Sequence, residues 1–471
     1  MLEFEPFSVP ALQRVLPLIK NNPSLCNDLS AGRLFMWHEG AEIRFCVYND
    51  TFAVSQIIGE QLSFSYPFGA EPDAMIDQIM AYMRLKNLPV RFFAVDEETL
   101  EKIRNDKRFD PCMYAYDRRW SDYVYSFEEA MTFKGKKYNG QRNHINKFKK
   151  LYGEPQIRFL KEEDYPEAIN LLNEYEEEHR DGFALEKLEI ERTKELLKVY
   201  EKLGLYAAGL FTDGRLAAVS IGEVMGDMLL IHVEKALTRY EGIYPTMYSG
   251  FVRLICEHLG HPLRYVNRED DSGDQGLRTS KMQYHPELMA HKYLVHVNTP
   301  ALKMPADAVV FGDGVVLTEF RETDKKAYMD LNTDIENNKY WGYDYSEDLS
   351  IAYPVDENTF YDSLVYDTKA GDSINFAVRL SEDGEMIGEA VLWKFSSDGT
   401  AELGCRILKE HHGKGLGKAA FQSALEFGEK KLGLKVVARC YRENIPSFRM
   451  ITASGLEPVK EDDTYFYFER S

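Results

Sequence analysis

The chain has 471 residues, of which 44% are hydrophobic, so it can bury the cores of about three domains of roughly 150 residues each. Its formal net charge of −20 argues against a protein that coats nucleic acid through its overall field. The six cysteines form no C-x-x-C pair, which favours reduced thiols over a disulfide framework or a zinc site. The acidic N-terminus lacks a signal-peptide pattern, and no apolar run approaches the roughly 18 residues of a membrane span. We therefore expect a cytoplasmic protein without a membrane span or a bound metal.

Three segments of the chain open with the same pattern of a short strand, a turn and an amphipathic helix. They start at Met1, Ile157 and Val315, about 157 residues apart. Acidic residues at similar offsets, Asp164 and Asp324, suit the N-terminus of the helix. The repeat predicts three tandem units of similar size.

A basic segment lies between the first two repeats, from Lys134 to Lys150. Its seven cations and absence of acids stand out in an acidic protein. One interpretation is a solvated helix face or linker. The other is a patch that follows nucleic-acid phosphates, with Tyr138, His144 and Phe148 as stacking groups.

The second and third repeats share a hairpin pattern, because Asp213-Gly214 and Asp383-Gly384 each separate two apolar runs. A strand, an amphipathic helix and another strand follow in both. This order predicts an α+β fold in which each unit is a mostly antiparallel mixed sheet flanked by helices.

A polar segment from Asn267 to His285 follows the last strand of the second repeat, where loops often carry ligands. It reads either as an ordinary polar loop or as part of a site. Asp270, Asp271 and Asp274 lack the spacing of a calcium loop, so we expect no metal there.

The third repeat contains a glycine turn between a strand and a helix, with Gly413, Gly415 and Gly417. Glycines let a backbone approach a bound group closely, and the first turn of a helix favours an anion. Lys414 and Lys418 add positive charge. The corresponding loop of the second repeat has one glycine and offers no such cradle.

This turn resembles the acetyl-CoA pyrophosphate loop of the GNAT acyltransferase superfamily, Gln/Arg-x-x-Gly-x-Gly/Ala, with His412 where Gln or Arg is usual. Asn444, Ser447 and Gly455 are similar to a segment of the ribosomal-protein-acetyltransferase-like branch that lies along the pantetheine arm. The resemblance implies acetyl-CoA as the donor substrate, bound by Cys405, Ile407, His412, Gly413, Lys414, Gly415, Leu416, Gly417, Lys418, Asn444 and Ser447.

The same resemblance implies a base at Glu402, which starts the strand before the turn; a surface glutamate is the alternative. No general acid carries over, because Ile451 occupies the position where many relatives have a tyrosine. Cys405 and Cys440 lie in apolar strands and are predicted to belong to the core.

An aromatic cluster after the first helix of the third repeat includes Trp341, Tyr343 and Tyr345. These residues either line an acceptor groove or pack in the core. An acceptor beside such a wall is a primary amine of a small molecule or of a protein N-terminus.

Residues 1–300 resemble the soluble relatives of the C-terminal domain of phosphatidylglycerol lysyltransferases, which are tandem GNAT folds like the Fem-type peptidyltransferases. The resemblance rests on the segments Arg142–Phe148 and Asn267–Lys281. It implies aminoacyl transfer from charged tRNA. The candidate donor or tRNA residues are Lys136, Arg142, Asn143, Asn267, Arg268 and Lys281.

The sequence thus predicts an acyltransferase with GNAT-like units at 1–150, 151–303 and 312–471. The leading hypothesis is acetyl transfer to an amine by the last unit, beside an aminoacyltransferase-like module. The alternatives are aminoacyl-tRNA-dependent transfer by residues 1–300, or a module there that binds substrate or RNA without chemistry of its own.

Overall fold

The computed structural model describes residues 2–22, 24–38, 42–58, 61–110, 112–179, 184–297, 309–346, 348, 351 and 354–470. The chain divides into two compact units. The first contains Met1–Gln78, Phe93–Thr99 and Arg118–Lys292, and the second contains Ile79–Phe92, Leu100–Asp117 and Tyr293–Ser471.

The strands of the described residues, in chain order, are β1 Glu5–Pro6, β2 Arg44–Tyr48, β3 Thr51–Ile58, β4 Gln61–Ser65, β5 Phe68–Gly69, β6 Val90–Val95, β7 Cys112–Tyr116, β8 Asp122–Ser126, β9 Gln156–Phe159, β10 Tyr206–Thr212, β11 Arg215–Met225, β12 Met228–Ala236, β13 Tyr265–Asn267, β14 Leu288–Ala290, β15 Tyr293–Val297, β16 Val310–Phe311, β17 Val316–Thr318, β18 Ser373–Arg379, β19 Met386–Trp393, β20 Thr400–Ile407, β21 Lys435–Tyr441, β22 Glu457–Glu461 and β23 Tyr465–Glu469.

The α-helices are α1 Val9–Lys20, α2 Ala31–Met36, α3 Pro72–Leu85, α4 Glu97–Asn105, α5 Phe127–Thr132, α6 Asn139–Tyr152, α7 Tyr165–Glu178, α8 Ala184–Leu196, α9 Ile243–Leu259, α10 Gln275–Met282, α11 Lys325–Thr333, α12 Ile335–Asn338, α13 Glu357–Ala370, α14 Leu416–Lys430 and α15 Ile445–Ala453. Short 3₁₀ helices cover Lys107–Phe109, Arg118–Trp120, Lys136–Tyr138, Glu162–Asp164, Tyr200–Leu203, Glu322–Asp324 and Lys409–His411.

The first unit contains an antiparallel meander of β1 to β4 and a complete mixed sheet in the order β14-β8-β13-β12-β11-β10-β9. Within the mixed sheet, β12 and β13 pair in parallel. Its core side is built from residues of alternating strand positions, such as Ala208, Leu210 and Leu229, which pack against Phe251 and Ile255 of α9.

The second unit contains a mixed sheet in the order β16-β17-β18-β19-β20-β21-β23-β22. Here β20 and β21 are the parallel pair. One face of this sheet packs Phe376, Leu392 and Leu403 against Phe421 and Leu425 of α14. The second unit also holds the antiparallel pair of β7 and β15.

The predicted α+β class is confirmed, since mixed sheets carry helices on their faces. The hairpin at Asp213-Gly214 is confirmed as well, and both residues have positive φ, as a tight hairpin turn requires. At Asp383-Gly384 the strands also pair, but β18 ends at Arg379 and β19 starts at Met386, so the connection is longer. The division into three tandem units stays a prediction.

The predicted acidic helix starts are present in both later repeats. A carboxylate oxygen of Asp164 accepts a hydrogen bond from the Lys161 backbone N–H, and Asp324 does the same for Arg321. Asp324 is also buried in a two-pronged ion pair with Arg379, at 2.9 and 2.6 Å. The first turn of the third repeat is thereby tied to β18.

We expect Asp324→Asn to lower the free energy of unfolding by about 3–5 kcal/mol, because it leaves the charge of Arg379 buried without its counter-ion. Chemical denaturation followed by tryptophan fluorescence measures this change. Asp330→Asn is the matched control, since the Lys326 partner of Asp330 lies on the surface and surface pairs contribute little. Equal effects of the two substitutions would contradict the assigned role.

Candidate functional site

The parallel strands β20 and β21 part in the middle of their length. Their register runs from Thr400 opposite Lys435 to Glu402 opposite Val437. Beyond it, β20 stays paired with β19 and β21 pairs with β23. The two strands therefore diverge after Glu402 and leave an opening between them.

The predicted glycine turn lies at the end of β20. Gly413 and Gly415 have φ values of 74° and 79°, which favour glycine, and Gly415 directly precedes α14. A Cβ atom on either glycine would meet no other atom within 4 Å. The start of α14 therefore opens onto free space, as an anion cradle requires.

The side chains of the turn fold back toward it. An Nε2–H of His412 donates to the Ile407 carbonyl at 2.8 Å, and Lys414 donates to the Glu410 carbonyl at 2.9 Å. His412 thus satisfies the carbonyl of the last residue of β20. Lys418 is exposed on the first turn of α14. The turn is held by its own contacts and keeps its backbone accessible.

The remaining predicted donor residues are at the other wall of the opening or in the strand. Asn444 caps α15 by accepting from the Ser447 backbone N–H at 3.2 Å. The Cys405 thiol faces the Gly417 carbonyl at 3.7 Å, and burial raises its pKa to about 12. Cys405 and Cys440 pack with the core, as predicted.

In the mixed sheet of the first unit, the two parallel strands also separate, but the start of the following helix is not open to an anion. The register of β12 and β13 ends at Leu230 opposite Asn267, although β12 continues to Ala236. Gly242, which precedes α9, has a φ of 83°, yet a Cβ there would lie 2.2 Å from the His144 carbonyl oxygen. Helix α6 therefore covers this helix start, in agreement with the expectation that the second repeat lacks a pyrophosphate cradle.

The face of β20 that points away from α14 carries Glu402, Gly404 and Arg406, because side chains alternate along a strand. The ring of Trp341 lies over Gly404, where an added Cβ would be 2.8 Å from the ring. Beside this face, a cleft of about 290 Å³ is lined by Tyr343 and Tyr345, among others. Of the predicted aromatic residues, Trp341 thus packs on the β20 face, while Tyr343 and Tyr345 line the cleft together with Tyr441.

Two ion pairs cross this face, and sequence reasoning missed both arginines. Arg406 bonds to Glu389 at 2.6 Å and to Asn338 and Asn332 at 2.7 and 2.9 Å. Arg439 pairs with the predicted base Glu402 at 3.0 Å. The available signal was strand alternation, which places Arg439 opposite the core positions Ala438 and Cys440.

The predicted residues of the basic segment divide into two groups. Arg142 donates to the carbonyls of Phe133 and Gly135 and to Asn139, so it holds the start of α6. Lys136 and Asn143 are exposed. Acidic partners also bind several neighbouring lysines, namely Lys137 with Glu129, Lys147 with Glu241, and Lys149 with Glu154. These contacts favour the solvated helix face over a phosphate-tracking patch.

The predicted residues of the Asn267 segment converge in the first unit. Asn267 donates to Asp122 at 2.9 Å, and Arg268 binds Glu234 at 2.7 Å. Lys281 donates to the backbone carbonyls of Arg268 and Asp270, and burial lowers its pKa. The segment is therefore a hydrogen-bonded structural network rather than an open polar loop.

Lys292 is a central member of this network that the sequence did not reveal. Its buried ammonium lies 2.9 Å from Asp28, 2.7 Å from Asp122 and 3.4 Å from Asp270. Burial raises the pKa of Asp122 to about 7. No local pattern marks these positions, because the four residues are far apart in the chain.

His232 is the second buried member that the sequence did not reveal. Its ring nitrogens lie 2.9 Å from Glu223 and 2.7 Å from Glu269. Burial by itself lowers the pKa of His232, but the hydrogen bonds that the protonated ring donates to both carboxylates outweigh it and raise the pKa to about 9.

The described ranges contain neither a metal-binding cluster nor a membrane-spanning helix. No cluster of three or more His, Cys, Asp or Glu side chains there is arranged to hold a metal ion. No helix in those ranges is both long and apolar enough to cross a membrane.

Two family patterns match the chain. The family described as "Phosphatidylglycerol lysyltransferase, C-terminal" matches residues 25–296, and "Acetyltransferase (GNAT) domain" matches residues 315–457. Both resemblances found in the sequence are thereby confirmed. At the level of its domains, the chain is an acyltransferase.

Individual relatives match parts of the chain. The uncharacterized N-acetyltransferase YnaD of Bacillus subtilis is 29% identical over 119 residues, which are 24% of this chain and 70% of that protein. The uncharacterized protein MYCGA3080 of Mycoplasmoides gallisepticum is 24% identical over 178 residues, or 38% of this chain and 56% of that protein. A conserved protein of unknown function from Bacteroides thetaiotaomicron, known from a crystal structure, has a TM-score of 0.57 at 25% identity and covers 63% of this chain and 100% of its own.

The pKa of His232 leads to a prediction on stability. Because the pKa is about 9 in the folded protein and about 6.5 in an unfolded chain, His232 stabilises the fold fully below pH 6.5 and loses this contribution as the pH rises through 9. We expect the stability advantage of the wild type over His232→Gln to fall by about 1.4 kcal/mol per pH unit between these values. Denaturation of both proteins from pH 6 to 9.5 measures it, and a difference that does not vary with pH would contradict the assigned protonation.

Proposed function

The chain belongs to the phosphatidylglycerol lysyltransferase C-terminal family and also carries a GNAT domain, and from this premise we propose that its C-terminal domain transfers an acetyl group from acetyl-CoA to a primary amine. The observation that carries the proposal is the parting of β20 and β21 beside the open glycine turn. The similarity to YnaD, an uncharacterized N-acetyltransferase that is 29% identical over 119 residues, supports this proposal.

The residues of the turn would hold the donor substrate by its phosphates. The backbone N–H groups that start α14 are free for an anion, and the exposed Lys414 and Lys418 add attraction. The opening between β20 and β21 would take the pantetheine arm, since its backbone edges are not paired with each other. The bound donor supplies an acetyl thioester.

Glu402 is the residue proposed to accept the amine proton, directly or through a water molecule. Its carboxylate stands at the point where the strands part. An ammonium must lose one proton before its nitrogen can attack the thioester carbon, and a second N–H proton leaves as the amide forms. The C–N bond forms as the C–S bond breaks, and the departing thiolate takes up one proton, so one proton is released in total.

A second candidate activity is aminoacyl transfer by residues 25–296. The observation that favours it is the match of this range to the lysyltransferase C-terminal family, and the range also holds Asp122, a buried carboxyl whose pKa burial raises to about 7. Asp122 contacts Lys292 and Asn267, and Asn267 is the first residue of the Asn267–Lys281 segment that carries the family resemblance. The structure offers less for tRNA, because the nearby basic segment is largely paired with acids of the same chain.

We expect Gly415→Glu to abolish acetyl-CoA binding, because the new residue disfavours a φ of 79° and places a carboxylate where the phosphates would bind. Calorimetric titration measures binding, for which the wild type should show a single micromolar site. Gly433→Glu is the matched control, with a φ of 69° and equally free surroundings at the other end of α14. Unchanged affinity in Gly415→Glu would refute the placement of the donor.

We expect Glu402→Gln to lower kcat by about 10²- to 10⁴-fold, the usual contribution of a positioned base, while acetyl-CoA affinity stays unchanged. Steady-state release of free CoA thiol with an amine acceptor reports kcat, and calorimetry reports the affinity. Glu429→Gln serves as the control, since Glu429 lies in the last turn of α14 and pairs with Arg470 at the same 3.0 Å. A kcat equal to that of the wild type would exclude Glu402 as the base.

A further inference from the structure

We propose that the acceptor of the C-terminal domain is an α-amino acid, whose amine is bound by Glu402 and whose carboxylate is bound by Arg439. The inference rests on the proposed acetyl transfer at the same site. It concerns the chemical class of the substrate, which the site's aromatic wall and the family patterns leave open.

The two ion pairs on the same face of the sheet differ in how deeply they are enclosed. Glu389 and Arg406 stand directly opposite each other on β19 and β20, and their side chains are 4% and 6% exposed. Asn332 and Asn338 complete the hydrogen bonds of Arg406, and Trp341 covers its guanidinium at 4.6 Å. This pair is enclosed and fixed, so its role is structural.

The pair of Glu402 and Arg439 is built differently. Its side chains are 17% and 27% exposed, and the pair lies where β20 and β21 part. A partly exposed pair contributes little to stability, since water screens both charges. Two opposite charges held beside the proposed reaction centre are therefore better explained by binding of a ligand that carries both charges.

The surroundings of Arg439 orient it for such a ligand. Its guanidinium lies 4.8 Å from the centre of the Tyr465 ring, which is a stacking contact typical of arginine. A guanidinium fixed in its plane can bind a carboxylate with two parallel hydrogen bonds. Lysine, a point charge, would not provide this geometry.

A third group adds a hydrogen-bond donor on the same face. Trp393 stands directly opposite Glu402 on β19. Its indole N–H is buried and has no hydrogen-bond partner among the residues that the structure describes. A buried donor without a partner is rare and calls for an explanation, and a carboxylate oxygen of the ligand, one carbon away from the amine that Glu402 binds, would supply an acceptor.

The charges also distinguish between classes of amine. In an α-amino acid, one carbon separates the ammonium from the carboxylate, so the ligand matches two oppositely charged side chains whose atoms are 3.0 Å apart. The substrate carboxylate would replace Glu402 as the ion-pair partner of Arg439. The carboxylate oxygen of Glu402 would then be able to accept the amine proton. A diamine would instead bring a second positive charge toward Arg439, which like-charge repulsion disfavours.

The experiment uses the full chain, acetyl-CoA and three sets of acceptors: the proteinogenic α-amino acids, their α-amides and their decarboxylated amines. We expect at least one amino acid to react with a kcat/KM about 30-fold or more above its amide and its decarboxylated amine, which corresponds to the contribution of one hydrogen bond between charged groups. Arg439→Gln should remove this preference, and Arg439→Lys should restore only part of it.

Arg470→Gln is the matched control, because Arg470 bonds to Glu429 through the same Nε–Oε1 contact at 3.0 Å. It should keep the preference for the amino acid. If amides or decarboxylated amines react as well as amino acids, or in their place, the acceptor class is overturned while acetyl transfer stands. If no amine reacts, the proposed function and the acceptor class are overturned together, whether or not acetyl-CoA binds.

Discussion

The constraint on which the C-terminal site depends is that β20 can pair with only one neighbour along its second half. It keeps its antiparallel bonds to β19, while β21 turns to β23. Backbone groups left without a strand partner must bond to water or to a ligand. The opening is thus a consequence of sheet topology, and the glycine turn lies at its end because β20 leads directly into it.

The same strand then supplies two different surfaces. Ala401 and Leu403 are buried against α14, whereas Glu402 and Arg406 face the other way. Because side chains alternate between the two faces of a strand, apolar core residues and charged site residues are neighbours in the sequence. The packed side fixes the strand, and this fixes the positions of the charged side chains with little freedom.

The mixed sheet of the first unit shows how a shared topology can serve another purpose. It has the same parted parallel strands, but α6 covers the helix start at Gly242. Instead of an open cradle, it holds buried charges around Lys292 and His232. Charges buried in this way persist only when they are paired, and their pKa values are strongly displaced. The two sheets thus share a framework and differ in the chemistry at the opening.

The sequence by itself determined the features that depend on local order. The glycine turn, the strands on either side of it, the capping acids and the Asp213-Gly214 hairpin follow from neighbouring residues, whose spacing sets φ values and side-chain faces. Only the tertiary structure decided which charges meet. Arg439 reaches Glu402, and Lys292 reaches Asp28 and Asp122, across long stretches of chain. Such pairs leave no periodic trace, because they are set by how strands pair and not by the residues beside them.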